Sequence, residues 1–262
     1  MSPEVIILSN QKGGVGKTTL TRELGIYLST LGHKVLLVDC DPQGNLTKGV
    51  LEALDGGLFD ALNTDSFPPI KLTETLSLYA CDIRLAVLER NLIGEIDAYS
   101  RLRTLLAESF ISPFEFVFLD TPPSLGVLTI NALTAARHLV IPMSPSLYSM
   151  QGTNDLLDTV SKVRANLNPQ LRLLGVIINA YDSVPVITRQ IRSEIESSFG
   201  TRVFRTALSK SIRIEEAIAA RQGLAQDKHA LGTRARQQVA ALGDELLRRL
   251  GHGVTPEAHH VD

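Results

Sequence analysis

The chain has 262 residues, of which 44% are apolar, and this is enough to bury the core of one large α/β domain. The formal net charge is −2 and the pI is about 6.3, so the composition does not indicate a nucleic-acid-binding protein. The two cysteines, Cys40 and Cys81, lack a metal-site spacing such as CxxC, and we expect both to be reduced and buried. The sequence shows neither an apolar run of transmembrane length nor a signal peptide, so we expect a cytoplasmic protein.

Short apolar segments predict buried strands. Each is rich in Val, Ile and Leu, has the length of a strand and shows little polar alternation. This pattern is typical of strands that are covered on both faces of a parallel sheet. The segments are Val5–Leu8, Val35–Val38, Phe116–Leu119, Leu139–Ile141 and Leu173–Ile178.

Segments with helical periodicity lie between these strands. The first carries an apolar stripe that Gly32 is expected to end, and the stripe consists of Leu20, Leu24, Leu28 and Leu31. Further helices are predicted at about 83–92, 99–109, 126–135, 152–166, 186–199, 212–221 and 233–250. Strands that alternate with helices predict an α/β fold with a single doubly wound, mostly parallel sheet and helices on both faces.

Two regions have weaker patterns. Residues 46–76 contain Gly56-Gly57 and Pro68-Pro69 and predict an irregular connection with one short helix. We expect one domain over residues 1–250 and a polar, disordered tail over residues 251–262. The tail contains histidines, which we expect to be solvated and not to bind a metal.

A glycine-rich loop lies between the first strand and the first helix, where such loops bind phosphate. Its glycines let backbone N–H groups converge on phosphate oxygens, and the positive end of the helix adds to the attraction. Lys17 is expected to bind the β- and γ-phosphates, and Thr18 to ligate Mg²⁺. Gln11 replaces the first glycine of the usual GxxxxGK[ST] pattern. The candidate phosphate loop consists of Lys12, Gly13, Gly14, Val15, Gly16, Lys17, Thr18 and Thr19.

Two of the predicted strands are followed by aspartates. Asp39 and Asp41 follow residues 35–38, and Asp120 follows residues 116–119. Because the carboxyl ends of parallel strands face the ligand crevice of an open α/β sheet, we expect these carboxylates near the phosphate loop. Asp120 is assigned to the Mg²⁺ side of the site, as in P-loop NTPases. The alternative for a strand-end aspartate is a helix N-cap.

With these motifs, the sequence resembles the ParA/MinD family of deviant Walker-type ATPases, and within it the Soj-like partition branch. The resemblance rests on the phosphate loop with its extra Lys12 and on further segments. These are Leu36–Asn45, Asp120–Gly126, Leu128–Leu133 and Gly175–Ile178. The resemblance implies a P-loop ATPase with ATP and Mg²⁺ as ligands and with slow, partner-stimulated hydrolysis.

The resemblance also implies roles for single residues. Lys12 matches the signature lysine that, in relatives, reaches the phosphates of the other subunit in an ATP-bound sandwich dimer. Asp41 matches the aspartate that orients the attacking water, and Asp39 is expected in the Mg²⁺ shell or as a residue that fixes the loop. Asn179 is expected near the site that reads the base. The candidate catalytic residues are Lys12, Lys17 and Asp41. The candidate metal ligands are Thr18, Asp39 and Asp120.

Relatives in this branch bind non-specific DNA as ATP-dependent homodimers, and a ParB-like centromere-binding protein stimulates their hydrolysis. Residues 189–249 contain twelve Lys and Arg against seven Asp and Glu, an excess that suits contact with a phosphate backbone. Ordinary solvated helix charges are the alternative. The candidate DNA-binding residues are Arg189, Arg192, Lys210 and Arg213. The resemblance thus implies a cytoplasmic, nucleoid-associated protein.

The sequence departs from the family pattern in this region. Val184 stands where the family has an arginine, and residues 209–213 replace a Pro-Arg-Asn-Val-Arg pattern. In the following segment, Ile218 replaces a proline. These changes affect the predicted contacts with base and DNA and leave the phosphate residues unchanged.

Other functions are open on the sequence alone. A MinD-like ATPase that positions a protein or membrane cargo is the main alternative, but it needs a C-terminal helix that inserts into lipid. Here the apolar stripe of the last helix consists of Val239, Leu242, Leu246 and Leu250. This stripe suits docking on the core, so we expect no membrane partner. This sequence lacks the cysteine pattern of an iron-protein relative. It also shows no residues that mark the substrate pocket of a small ATP-dependent ligase. The cargo is a chromosome, a plasmid or a protein assembly.

Overall fold

Seven strands form one sheet in the computed structural model, which describes residues 2–54, 56–64, 67–146, 151–182 and 186–253. The strands are β1 (Glu4–Leu8), β2 (Val35–Asp39), β3 (Ile70–Lys71), β4 (Leu76–Tyr79), β5 (Phe116–Asp120), β6 (His138–Met143) and β7 (Arg172–Ile178). Their order across the sheet is β3-β4-β2-β5-β1-β6-β7. Neighbouring strands are parallel except β3, which pairs antiparallel with β4 at one edge.

Helices cover both faces of this sheet. They are α1 (Lys17–Thr30), α2 (Asn45–Lys48), α3 (Leu58–Thr64), α4 (Arg84–Asn91), α5 (Arg101–Leu105), α6 (Glu108–Ile111), α7 (Val127–Ala135), α8 (Gln151–Asn166), α9 (Val186–Phe199), α10 (Ile212–Ala219) and α11 (Arg234–Leu250). One apolar cluster joins α1, α10 and α11 to the sheet, and a second joins α3, α4, α5, α7, α8 and α9 to its other face. The predicted doubly wound α/β fold is confirmed.

The strands are apolar on both faces because each face is buried. In β1, Ile6 and Leu8 belong to the cluster under α1 and α11, whereas Val5 and Ile7 belong to the opposite cluster. A strand between two helical layers has no solvated face. This explains why the sequence shows apolar runs and no alternation.

The first and last helices pack closely together. The predicted stripe of α1 is buried at Leu20, Leu24 and Leu28, and the stripe of α11 is buried at Val239, Leu242 and Leu246. A Cβ on Gly243 would lie 2.2 Å from Cδ1 of Tyr27. The small residue therefore lets the two helices approach, and α11 docks on the core as predicted. No helix among the described residues is long and apolar enough to span a bilayer.

The prediction for residues 46–76 was incomplete. The region contains α2, α3 and β3, and the unpredicted strand β4 begins at Leu76. β4 is only four residues long with the sequence Leu-Ser-Leu-Tyr, too short for a clear periodic signal. Its position is set by pairing with β2, in which Val38 lies opposite Tyr79. The helix predicted over 99–109 is two short helices, α5 and α6.

The end of α11 is well defined. Gly251 adopts a left-handed conformation with φ 83°, and backbone N–H groups there cap carbonyls of the last turn. The tail from residue 254 to residue 262 lies outside the described residues. The expectation of a disordered tail therefore stays a prediction.

Candidate nucleotide-binding site

A cavity of about 480 Å³ lies at the carboxyl end of the sheet, where β1, β2 and β5 lead into loops. This is the edge at which ligands bind in open α/β sheets. Its lining residues are Gly13, Gly14, Gly16, Lys17, Thr18, Thr19, Arg22, Asp41, Asn45, Lys48, Gly49, Pro123 and Ile218. The predicted phosphate loop and Asp41 therefore line the same cavity.

The phosphate loop is held in shape by side chains on either side of it. Gly14 and Gly16 have φ values of 72° and 89°, a left-handed region that disfavours other residues. The Asn10 side chain accepts a hydrogen bond from the Lys12 backbone N–H (3.0 Å) and donates to the Pro142 carbonyl (2.8 Å). Asn10 thus fastens the loop to the end of β6.

Asn179 supports the loop from the end of β7. Its Nδ2 donates to the Val15 carbonyl at 2.8 Å. A Cβ on Gly16 would lie 1.9 Å from this nitrogen, so the contact requires glycine. The structure therefore places Asn179 against the phosphate loop, where its amide nitrogen donates to a backbone carbonyl. The position of Asn179 near the nucleotide base stays a prediction.

Lys17 is buried at the start of α1 with a residue exposure of 6%. Its Nζ donates to the carbonyls of Asn10 (3.0 Å) and Lys12 (3.2 Å). Burial lowers the pKa of Lys17 below its usual range, while the carboxylates of Asp120 and Asp41 act in the opposite direction. A bound phosphate would favour the charged form of this ammonium group further.

Thr18 and Asp120 form the part of the site that fits a divalent cation. Thr18 Oγ1 donates to Asp120 Oδ2 at 2.7 Å, whereas the buried Oδ1 has no hydrogen-bond partner among the described residues. Burial, and secondly the Asp39 carboxylate, raise the pKa of Asp120. An orphaned carboxylate oxygen beside a hydroxyl is a hard-oxygen pair suited to Mg²⁺.

The described part of the chain contains no group of three or more His, Cys, Asp and Glu residues that could hold a metal. At nucleotide sites, proteins hold Mg²⁺ with one or two protein oxygens and the phosphates of the ligand. When bound, the metal would neutralise phosphate charge.

Asp39 is a fully buried anchor of the neighbouring loop. Its Oδ2 accepts hydrogen bonds from the Thr47 backbone N–H (2.9 Å) and hydroxyl (2.7 Å), and its Oδ1 accepts one from the Asp41 N–H (3.2 Å). Burial raises the pKa of Asp39 to about 6, although the Thr47 hydrogen bonds oppose the shift. Of the two predicted roles, these contacts favour the loop-fixing one over the Mg²⁺ shell.

Asp41 lies at the cavity wall, on the loop that Asp39 fixes. Its Oδ1 accepts a hydrogen bond from the Gln43 N–H at 3.0 Å, and its carbonyl accepts one from Gly44 at 2.8 Å. The carboxylate keeps acceptor capacity toward the cavity because a carboxylate has several lone pairs. This placement is compatible with the orientation of a water molecule beside a bound phosphate.

Lys12 is half-buried, and its Nζ donates to Ser146 Oγ in the same chain. Its backbone carbonyl also accepts from Lys17. The predicted contact of Lys12 with a second subunit would require this ammonium group to leave Ser146. Nothing in the sequence pattern indicated Ser146, because it lies 134 positions away.

A buried ion pair beside the cavity was also missed from the sequence. Arg22 and Glu23, each with a side-chain exposure of 1%, form a salt bridge on α1. Arg22 also donates to the carbonyls of Gly49 (3.1 Å), Ala217 (3.0 Å) and Gln222, and Glu23 accepts from the Leu224 N–H (2.8 Å). The pair connects the helix of the phosphate loop to α10.

Of the predicted DNA-binding residues, Arg189 and Arg192 lie on α9, Lys210 precedes α10, and Arg213 lies in the first turn of α10. The Arg192 guanidinium lies 5.1 Å from the centre of the Tyr181 ring, and Tyr181 forms a β-bridge with Ser209. Arg192 is thereby brought close to the segment that carries Lys210 and Arg213. We call these residues the α9–α10 basic surface, which consists of Arg189, Arg192, Lys210 and Arg213.

Ion pairs within the chain reduce the net charge of this surface. Arg192 pairs with Glu196 and Arg213 pairs with Glu216, both at 2.8 Å. Lys210 and Arg189 are exposed. The charges on this surface are therefore accessible but partly neutralised by neighbouring acids.

Not every basic residue counted over 189–249 belongs to such a surface. Arg249 donates to the carbonyls of Leu174, Thr201, Arg202 and Val203 and to Glu245, and it stacks on Phe204 at 4.2 Å. Arg236 donates to the Asp227 carbonyl, and Arg248 to the Asp244 carbonyl. Arg249 is thus a structural residue, and the charge count of the segment overstates its basic face.

Comparison with known proteins gives a consistent result. A family model described as "AAA domain" matches residues 3–173. The chain is 36% identical over 246 residues to the chromosome-partitioning ATPase Soj of Thermus thermophilus, covering 94% of this chain and 96% of that relative. It is 38% identical over 221 residues to the sporulation initiation inhibitor protein Soj of Bacillus subtilis, covering 82% and 87%.

Solved structures show the same architecture. Cobyrinic acid a,c-diamide synthase from Mycobacterium smegmatis, with a bound ATP analog and magnesium, is 30% identical with a TM-score of 0.83, and 95% of each chain is covered. The ATP complex of a McdA variant from Cyanothece is 20% identical with a TM-score of 0.83, covering 98% and 99%, which shows a shared fold. ATP and Mg²⁺ are the ligands that fit the site.

Proposed function

The chain belongs to the ParA/Soj group of AAA-domain P-loop ATPases, and we propose that it drives the partition of a chromosome or plasmid. In this proposal it binds ATP and Mg²⁺, forms a nucleotide-sandwich homodimer and binds non-specific DNA. Its partner is a ParB-like centromere-binding protein that stimulates slow hydrolysis. The protein acts in the cytoplasm on the nucleoid.

The observation that carries the proposal is the convergence of Lys17, the Thr18–Asp120 pair and Asp41 on one cavity. Lys17 would bind the terminal phosphates, and Thr18 with Asp120 would hold the metal. Asp41 would orient the attacking water. Since these groups are fixed before ligand binds, they supply positioning and electrostatic stabilisation, the main contributions to phosphoryl transfer.

Dimer formation would complete the site. Lys12 lies at the edge of the phosphate loop and is held by Ser146 in the isolated chain. Transfer of this ammonium group to a phosphate in the second subunit would exchange a neutral hydroxyl acceptor for a negatively charged one. A cation supplied across an interface acts as an arginine finger does.

Nucleotide would control DNA binding through the number of cations presented. One α9–α10 basic surface offers few positive groups, and two of them are paired with glutamates. An ATP-dependent dimer doubles the number of phosphates contacted at once, so the second contact becomes intramolecular. Non-specific affinity should then depend strongly on salt.

A second candidate is an amide-forming synthase, because the Mycobacterium smegmatis structure of that name is 30% identical over 95% of this chain. The curated Soj relatives are more similar in sequence, at 36% and 38%, which favours partition. The two functions differ in what stimulates ATP turnover.

The test is ATP turnover of the purified protein alone, with random-sequence duplex DNA, with the ParB-like protein of the same organism, and with both. We expect slow basal turnover that rises when partner and DNA are present together, and none in Lys17→Ala. Stimulation by cobyrinic acid with an amide donor, and not by the partner, would favour the synthase.

A further inference from the structure

Three basic residues line the cavity, and they differ in how they are engaged. Lys17 is buried against loop carbonyls, and Arg22 is held by Glu23 and by carbonyls of distant segments. Lys48 is exposed, and its Nζ donates to the Gln43 carbonyl at 2.6 Å. Lys48 is therefore the basic residue in the lining whose charged group can move.

The backbone that carries Lys48 is firmly anchored. Lys48 is the last residue of α2, and its N–H donates to the Gly44 carbonyl at 2.9 Å. The preceding Thr47 is fixed by Asp39, and its hydroxyl also accepts from the Cys81 N–H at 2.8 Å. A flexible four-carbon stem on a fixed base lets the ammonium group change partner without a movement of the backbone.

The charge around the cavity favours such a change. Burial raises the pKa values of Asp39 and Asp120, and nearby carboxylates add to both shifts: that of Asp41 for Asp39, and those of Asp39 and Asp41 for Asp120. A triphosphate adds further negative charge at this edge, and the buried Lys17 is one fixed cation against it. A neutral carbonyl is a weaker acceptor for an ammonium group than a phosphate oxygen.

We propose that Lys48 is a further phosphate-binding residue, which leaves the Gln43 carbonyl and contacts the terminal phosphate of ATP bound in the same subunit. This inference rests on the proposed function, since it places ATP in the cavity. Asn45 lines the cavity from the same short helix, one turn before Lys48. The contact would draw the Asp41 loop and the terminal phosphate together, because Gln43 and Lys48 belong to that loop and its following helix.

The test compares Lys48→Met, Lys48→Arg and a matched control, Lys34→Met. Lys34 is also exposed and also donates its Nζ to a single carbonyl, that of Glu74 at 2.5 Å, but it precedes β2 at the opposite end of the sheet. Affinities for the fluorescent N-methylanthraniloyl derivatives of ATP and ADP are measured with Mg²⁺. A melting curve of each variant verifies that it is folded.

We expect Lys48→Met to weaken ATP binding about tenfold, the effect of one charge-assisted hydrogen bond, with little change for ADP. Lys48→Arg should recover part of the loss, and Lys34→Met should bind both nucleotides as wild type does. Unchanged ATP affinity in Lys48→Met, or equal losses for ATP and ADP, would overturn the inference. If the wild-type protein binds ATP but not DNA, the proposed partition function is contradicted. The ATP and ADP affinities of the Lys48 variants would still test this inference.

Discussion

The phosphate site and the α9–α10 basic surface hold their charges in opposite ways. At the phosphate site, Lys17, Asp39 and Asp120 are buried, and each has a specific hydrogen-bond partner. On the basic surface, Arg192 and Arg213 pair with exposed glutamates one helical turn away. Buried charges require compensation, so their positions are fixed. Exposed charges are screened, and their effect depends on how many act together.

The largest effect should come from the buried cation of the phosphate site. Lys17→Ala removes the ammonium group that would bind the terminal phosphates, and we expect ATP affinity to fall about a hundredfold or more. Isothermal titration with Mg²⁺ and ATP measures this, with Lys34→Ala as a control. Wild-type affinity in Lys17→Ala would show that the loop is not the phosphate site.

The second prediction compares a buried with an exposed ion pair. Arg22→Met leaves Glu23 buried without its ion-pair partner and removes the guanidinium donor from the carbonyls of Gly49, Ala217 and Gln222. We expect a loss of about 3–5 kcal/mol in the free energy of unfolding. Arg213→Met breaks the exposed pair with Glu216 and should lose less than about 1 kcal/mol. Urea unfolding measures both, and similar losses would remove the distinction between the two regions.

Substitution of Asp41 should separate ATP binding from ATP hydrolysis. Asp41→Ala should keep ATP affinity while turnover falls about a hundredfold, since a water-orienting carboxylate contributes on that scale. The ATP-bound dimer should accumulate, which light scattering detects. A variant that stays monomeric with saturating ATP would contradict the role assigned to Asp41. Asp39→Ala is the comparison, because loss of the Thr47 anchor should weaken folding as well as turnover.

The smallest effects are expected on the basic surface. Arg213→Glu should lower affinity for random duplex DNA about tenfold at low salt and flatten the salt dependence, with ATP-driven dimerisation unchanged. Glu216→Gln releases Arg213 from its ion pair and should raise DNA affinity modestly. Arg103→Glu is the control, because Arg103 is an exposed arginine on α5, which packs on the other face of the sheet from the α10 helix that carries Arg213. Equal losses in Arg213→Glu and Arg103→Glu would argue against a defined surface.

The phosphate loop was predictable because its chemistry restricts the sequence locally. Gly16 must be glycine to accommodate its own conformation and Asn179, and Asp120 ends a strand whose other residues are all apolar. Such constraints appear as residue types at short spacing, whatever the rest of the chain does. The same local reasoning predicted the central strands and the stripe of α1.

Contacts between distant segments could not be read in this way. Adjacent opposite charges at Arg22 and Glu23 normally indicate a solvated helix face, and they are buried only because α10, about 195 positions later, covers them. Thr47 gave no signal of its role as the anchor of Asp39. The strand β4 was too short to give a periodic signal in the sequence. The charge count over residues 189–249 could not distinguish Arg249, which donates to backbone carbonyls, from exposed arginines.

In the proposed function, nucleotide bound at the buried phosphate site controls DNA binding by the exposed basic surface. The most direct test is the affinity of wild-type protein for random duplex DNA, measured by fluorescence anisotropy at low salt with ATP, with ADP and without nucleotide. We expect tight binding with ATP only, a steep loss of affinity with added salt, and the same affinity for unrelated DNA sequences. DNA binding that is independent of nucleotide, or absent with ATP, would contradict it.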